Sequence, residues 1–161
     1  MEKSLIVNGV AYEKDIVRLT VGCGKGEHRF LAPIFSALSN NGINVDIIVQ
    51  STINGITPSV SFTIAKDEFA ECLRVLETSK ASIGFSFADF EVGLAKVSII
   101  GSGMASNPGV AARMFSRLSE EHIEVKMVST SEIKVSVVVS QDDMVRAANV
   151  LHDEFNLLVV E

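Results

Sequence analysis

The sequence predicts an α+β fold of two tandem modules, each a βαββαβ unit with both helices on one face of an antiparallel sheet. Three observations predict it. The chain has 161 residues, room for two small domains of about 70–80 residues each. It repeats itself at an offset of about 75–80 positions, too long for a solenoid unit and right for a duplicated domain. Within each copy, short β-branched runs alternate with amphipathic stretches at helical spacing.

The elements follow in chain order. Leu5-Ile6-Val7-Asn8-Gly9-Val10-Ala11 is strand-like but has no place in the first copy. Val17-Arg18-Leu19-Thr20-Val21 opens that copy and matches Ala95-Lys96-Val97-Ser98-Ile99, which opens the second. A glycine-containing loop follows each, then a helix. Phe30 or Leu31, Ile34 and Leu38 share one face in the first copy; Val110, Met114, Phe115 and Leu118 do so in the second. Residues 42–52 align with 122–132, and Ser59-Val60-Ser61-Phe62-Thr63-Ile64 with Lys134-Val135-Ser136-Val137-Val138-Val139, as strands. Asp67 and Asp142 are the expected N-caps of the next helices. Those helices carry Phe69, Cys72, Leu73 and Leu76, and Met144, Ala147, Ala148 and Leu151. Ile83-Gly84-Phe85-Ser86-Phe87 is the expected closing strand of the first copy, whereas only Leu157 to Val160 remain after the last helix of the second. The N-terminal strand is therefore expected to complete the second module. Residues 15–91 form the first module, and residues 1–14 with 92–161 the second. Such split βαβ sandwiches are ferredoxin-like.

Composition narrows the function. Hydrophobic residues make up 47% and charged residues 21%, with 11 Gly and 3 Pro, a composition that builds a core. No apolar run approaches the ~20 residues of a membrane helix, and the N-terminal apolar stretch is too short for a signal peptide. Cys23 and Cys72 form no CxxC pair and read as free thiols in a reducing cytoplasm. The net charge of −6, without a basic cluster, disfavours nucleic acid, whose binding begins with phosphate neutralisation. Trp is absent and Tyr12 stands alone, so no base-stacking platform is expected.

Catalytic constellations are missing from the pattern. His28, His122 and His152 have no ligand-like spacing, so no metal and no cofactor are expected. Glu120-Glu121 and Asp142-Asp143 are neighbours on a helix and do not face each other. Ser129, Thr130 and Ser131 have no activating base nearby in sequence. Gly101-Ser102-Gly103-Met104-Ala105-Ser106-Asn107-Pro108-Gly109 fails as a dinucleotide fingerprint because Ser106 stands at the third glycine. It does offer a strand end, a glycine-freed backbone and a helix starting at Pro108 or Gly109, where exposed N–H groups suit a carboxylate. Asp46, beside strand carbonyls, suits an ammonium.

At these residues the chain resembles a known family. Lys96-Val97-Ser98-Ile99-Ile100-Gly101-Ser102-Gly103-Met104, followed by Asn107-Pro108-Gly109-Val110-Ala111-Ala112, resembles the second ACT domain of bacterial aspartate kinases. Val128-Ser129-Thr130-Ser131-Glu132-Ile133-Lys134-Val135-Ser136 is similar to that family's most characteristic stretch, and residues 42–50 to its partner in the first ACT domain. The resemblance covers nearly the whole chain. It implies the C-terminal regulatory region, or separate beta subunit, of aspartate kinase: a cytoplasmic part without the kinase domain that uses ATP to phosphorylate aspartate. Such a part mediates feedback inhibition by lysine, threonine or both in aspartate-family amino-acid biosynthesis. The resemblance further implies effector contacts at the first-module loop (Gly26, Glu27, His28, Arg29, Phe30, Leu31) and at Asn44, Val45, Asp46 and Gln50. In the second module it implies Ala111, Glu124, Val125, Thr130, Ser131 and Glu132. Two departures stand out: the first loop lacks the family's Asp-x-Pro-Gly-x-Ala pattern, and Glu124 replaces a usual Asn.

The expected partners are the amino-acid effector, a catalytic aspartate kinase subunit or domain, and a second copy joined sheet to sheet through exposed edge strands. Alternatives are the small regulatory subunit of acetolactate synthase, an acylphosphatase-like enzyme using Arg29 and Asn44, and an RNA-binding module.

Overall fold

The computed structural model describes residues 7–23 and 29–157. Expectations for Leu5, Ile6, Gly26, Glu27, His28 and residues 158–160 lie outside them. Ten elements follow one another: β1 Val7–Gly22, α1 Leu31–Asn40, β2 Ile48–Ile53, β3 Thr57–Ala65, α2 Phe69–Ile83, β4 Phe87–Gly101, α3 Pro108–Glu120, β5 Met127–Thr130, β6 Lys134–Ser140 and α4 Met144–Glu154. The chain divides into a continuous unit, Asp15–Val92, and a split unit, Met1–Lys14 with Gly93–Glu161.

In the continuous unit the strand order is β2-β3-β1-β4. Val17, Leu19 and Val21 of β1 and Val60, Phe62 and Ile64 of β3 meet Ile34 and Leu38 of α1 and Cys72, Val75 and Leu76 of α2 in one core. The alternation in the strands and the helical spacing place these side chains together. Each fully buried aliphatic contributes about 1.5–3 kcal/mol. In the split unit the order is β1-β4-β6-β5. There Val97, Ile99, Val135, Val137 and Val139 pack with Met114, Leu118, Ala147 and Leu151, and Val7 of β1 joins them.

The two units share a register. Val17 lies opposite Ile64 and Ala95 opposite Val139; Ile48 lies opposite Phe62 and Val128 opposite Val137. Away from the helices, each unit carries a matched hydroxyl pair, Thr20 with Ser61 at 2.7 Å and Ser98 with Ser136 at 2.6 Å.

Several elements differ from expectation. The N-terminal strand does not stop at Ala11: Tyr12, Glu13 and Lys14 are exposed yet extended, so β1 runs unbroken to Gly22. Ile83 closes α2 instead of opening a strand, because Gly84, at φ 84°, caps that helix with its N–H on the Lys80 carbonyl at 2.8 Å. The strand after it, β4, then continues directly into the second copy. Asp67 and Asp142 do not cap their helices. A single 3-10 turn precedes each of α2 and α4, and both aspartates sit inside it, favourably near the positive end.

Candidate functional site

In the split unit the strand-to-helix loop is tied to the turn that follows β5. The Gly101 N–H donates to the Ile133 carbonyl at 2.8 Å, and the Met104 N–H to the Glu132 carbonyl at 3.0 Å. Gly103 adopts φ 63°, and the Asn107 side-chain amide donates to its carbonyl at 2.7 Å. Pro108 then opens α3, where its missing N–H is not needed. On the other side, the Ser131 hydroxyl accepts the N–H groups of Ile133 and Lys134 at 3.4 and 3.2 Å, and the Ser131 N–H reaches the Lys134 carbonyl at 2.8 Å. Thr130, Ser131 and Glu132 are exposed on this turn, and Ala111 is half-buried in the first turn of α3. Four of the expected residues therefore lie on two segments that the backbone joins or that adjoin that joint.

Glu124 and Val125 lie at the other end of β5, before its ladder begins. Val125 packs partly buried against the core. Glu124 is exposed, with its carboxylate 3.9 Å from the Lys126 ammonium.

In the continuous unit, Asn44, Val45 and Asp46 are not in a strand, since β2 begins only at Ile48. They form a lead-in held by the Asp46 N–H on the Thr63 carbonyl and the Ile47 N–H on the Thr63 hydroxyl, both at 3.0 Å. The Asn44 N–H donates to the Glu68 carboxylate at 3.2 Å. Val45 packs against the core, while Asn44, Asp46 and Gln50 are exposed. Phe30 is a core residue, 2% exposed, so any contact it offers a ligand is through its backbone. Arg29 is exposed, and Leu31 starts α1 half-buried.

Sequence reasoning missed Lys126, Glu68 and Thr63. Lys126 was within reach, because the repeat aligns it with Asp46. A cavity of about 210 Å³ also lies in the split unit, lined by Tyr12, Glu13, Lys96, Ser98 and Lys134; none of the expected site residues lines it. Among the described residues no group of three His, Cys, Asp or Glu is placed to hold a metal ion, and no helix is long and apolar enough to cross a membrane.

Two βαββαβ units of matching register in one chain, each with helices on one side, define a tandem ACT-domain protein. A model of the ACT domain matches residues 23–79 and 97–155, and the chain belongs to that family. Within it, the chain belongs with the regulatory region of aspartokinases. It is 50% identical over 157 residues to an aspartokinase of Bacillus sp. (strain MGA3), which covers 98% of this chain and 38% of that protein. The regulatory subunit of aspartate kinase from Thermus thermophilus, in its ligand-free form, is 33% identical, with a TM-score of 0.85 over 93% of this chain and 99% of that one. A structure of aspartokinase alpha and beta subunits contains a chain 38% identical, again with a TM-score of 0.85, over 94% of this chain and 99% of that one. The chain thus spans under two-fifths of the length of the curated relatives it matches.

Proposed function

We propose that this chain binds a free amino acid of the aspartate family, lysine or threonine, and passes the signal to an aspartokinase catalytic domain or subunit. On this reading it does no chemistry itself. The carrying observation is the backbone tie between Met104 and Glu132, 3.0 Å, which brings the strand-to-helix loop beside the Thr130–Ser131–Glu132 turn. In the split unit, N–H groups at the start of α3 suit an effector carboxylate; in the continuous unit, taken by itself, Asp46 suits an ammonium. Ala111, Glu124 and Val125 extend this surface in the split unit; Arg29, Leu31, Asn44 and Gln50 do so in the continuous one.

Regulation is a population shift. Effector binds one arrangement of the assembled protein better than another, and only that difference is transmitted. A tenfold shift needs about 1.4 kcal/mol of differential affinity, within the range of one charge-assisted hydrogen bond. The chain acts as a dimer in the cytoplasm, using the exposed edges that β2 and β5 present.

Calorimetric titration with lysine, threonine, methionine and valine tests this. Heat is expected from lysine or threonine, and Asp46→Ala should weaken lysine at least ~10-fold with an unchanged melting curve. If no amino acid gives heat with the parent chain, the reading fails.

A further inference from the structure

The cavity of the split unit lies over the side of the sheet that turns away from its helices. Val97 and Ile99 face the core, so Lys96, Ser98 and Ile100, which alternate with them along β4, face the cavity. Ser98 is buried, and its hydroxyl meets that of Ser136 at 2.6 Å. Lys134 lines the cavity beside Ile100, its partner in register. About 210 Å³ is the liquid volume of about seven waters. That is less than the ~300–1,000 Å³ of drug-sized ligand pockets and suits a small metabolite.

The continuous unit fills the corresponding place. The offset that aligns Val17 with Ala95 also aligns Gly22 with Ile100, Asp89 with Ala11 and Phe87 with Gly9. There Phe87 lies over Gly22, so near that a Cβ on Gly22 would overlap its ring. The Arg18 guanidinium is held by the Thr20 hydroxyl at 3.0 Å and lies 3.6 Å from the Asp89 carboxylate. In the split unit Gly9 has no ring to offer, and a Cβ on it would meet nothing within 4 Å. Ala11 brings no carboxylate, and Lys134 faces Ile100 where Ser59 faces Gly22. The opening and the cation beside it are both differences of sequence between two copies of one backbone.

Lys96 is engaged, its ammonium 3.6 Å from the Glu13 carboxylate, and a ligand needs nothing from it. Lys134 is in no ion pair among the described residues. An ammonium on the wall of a concave, partly shielded surface draws anions into it. The Tyr12 phenol and the Ser98 hydroxyl line the same space and can donate hydrogen bonds. We propose that this cavity is a second binding site, for a small oxyanion such as the carboxylate or phosphate of a metabolite, with Lys134 as its charged contact. It is separate from the loop and turn assigned to the amino acid and does not rest on that assignment.

Amide chemical shifts of the full chain, titrated with inorganic phosphate and separately with succinate at constant ionic strength, test it. Saturable shifts are expected at Ala11, Ser98, Ile100 and Lys134. A response to phosphate alone or to succinate alone says which oxyanion the site takes, and either supports the proposal. Lys134→Met should weaken binding at least ~10-fold, while Lys134→Arg should retain it. Ala11→Asp, which gives the split unit the carboxylate that the continuous unit has in Asp89, should weaken it as strongly as Lys134→Met. Absence of saturable shifts at these amides with both anions would overturn the proposal. So would saturation that neither Lys134→Met nor Ala11→Asp weakens, since the anion would then be held elsewhere.

Discussion

Burial at Cys72 links one side chain to the stability of its unit. The thiol packs under α2 with no exposed surface, and burial, helped by the Glu68 carboxylate, pushes its pKa from 9.0 up to about 12. The folded state therefore holds this proton where the unfolded chain releases it. The stability it contributes is complete below pH 9 and is lost as pH rises towards 12, by at most about 1.4 kcal/mol per pH unit. Denaturant melts should show the gap between parent and Cys72→Ala narrowing from pH 8 to pH 10.5; parallel curves would contradict the assignment. Cys72 was legible in the sequence as a helix-face residue, as were Ile34, Leu38, Met114 and Leu118, since a 3.6-residue period marks them directly. Phe30 shows the limit. Helical spacing left Phe30 and Leu31 as alternatives on the apolar face, and that Phe30 is the one 2% exposed is set by elements distant in sequence.

Helix boundaries are set by local geometry that residue preference reports only in part. Gly84 ends α2 with φ 84°, and a Cβ there would meet nothing within 4 Å. The cost of Gly84→Ala is then conformational alone, about 1 kcal/mol or somewhat more. Gly109 lies within α3, away from the left-handed region, and also has open space around it. Gly109→Ala should stabilise by about 0.5–1 kcal/mol. The two alanine variants are expected to move the melting temperature in opposite directions, and a shift of the same sign would count against this account. The caps illustrate why Asp67 and Asp142 misled. An aspartate ahead of an apolar-periodic run is the usual N-cap pattern, but each inner strand passes straight into a 3-10 turn, so the helical backbone starts earlier. The lead-ins of β2 and β5 misled likewise. The alternation through Asn44, Val45 and Asp46 looks like strand because Ile43 and Val45 do face the core, yet the two-stranded ladder begins only at Ile48.

At the scale of the whole chain, the duplication was legible because each copy buries its own apolar stripe, and that stripe repeats in sequence. The length of β1 and β4 was not. Tyr12, Glu13 and Lys14 are exposed and polar enough to pass for a loop, and strand continuity there comes from pairing with a distant neighbour. Both strands change unit beside a left-handed residue, Asp15 at φ 60° and Gly93 at φ 72°. The consequence is testable. Val7, 4% exposed, lies in the core of the split unit, although it is 90 residues from Val97 in sequence and is followed by the whole continuous unit. Val7→Asp places an unpaired carboxylate in that core and should cost about 2–4 kcal/mol. Hydrogen exchange should quicken at the amides of Val97, Val137 and Leu118, which share the core with Val7. The amides of Leu19, Phe62 and Leu76 belong to the other core and should keep the protection they have in the parent. Equal loss of protection in both sets would mean that the two cores open as one cooperative unit. Unchanged protection throughout would remove Val7 from the split unit and, with it, the N-terminal strand as the piece that completes the second module.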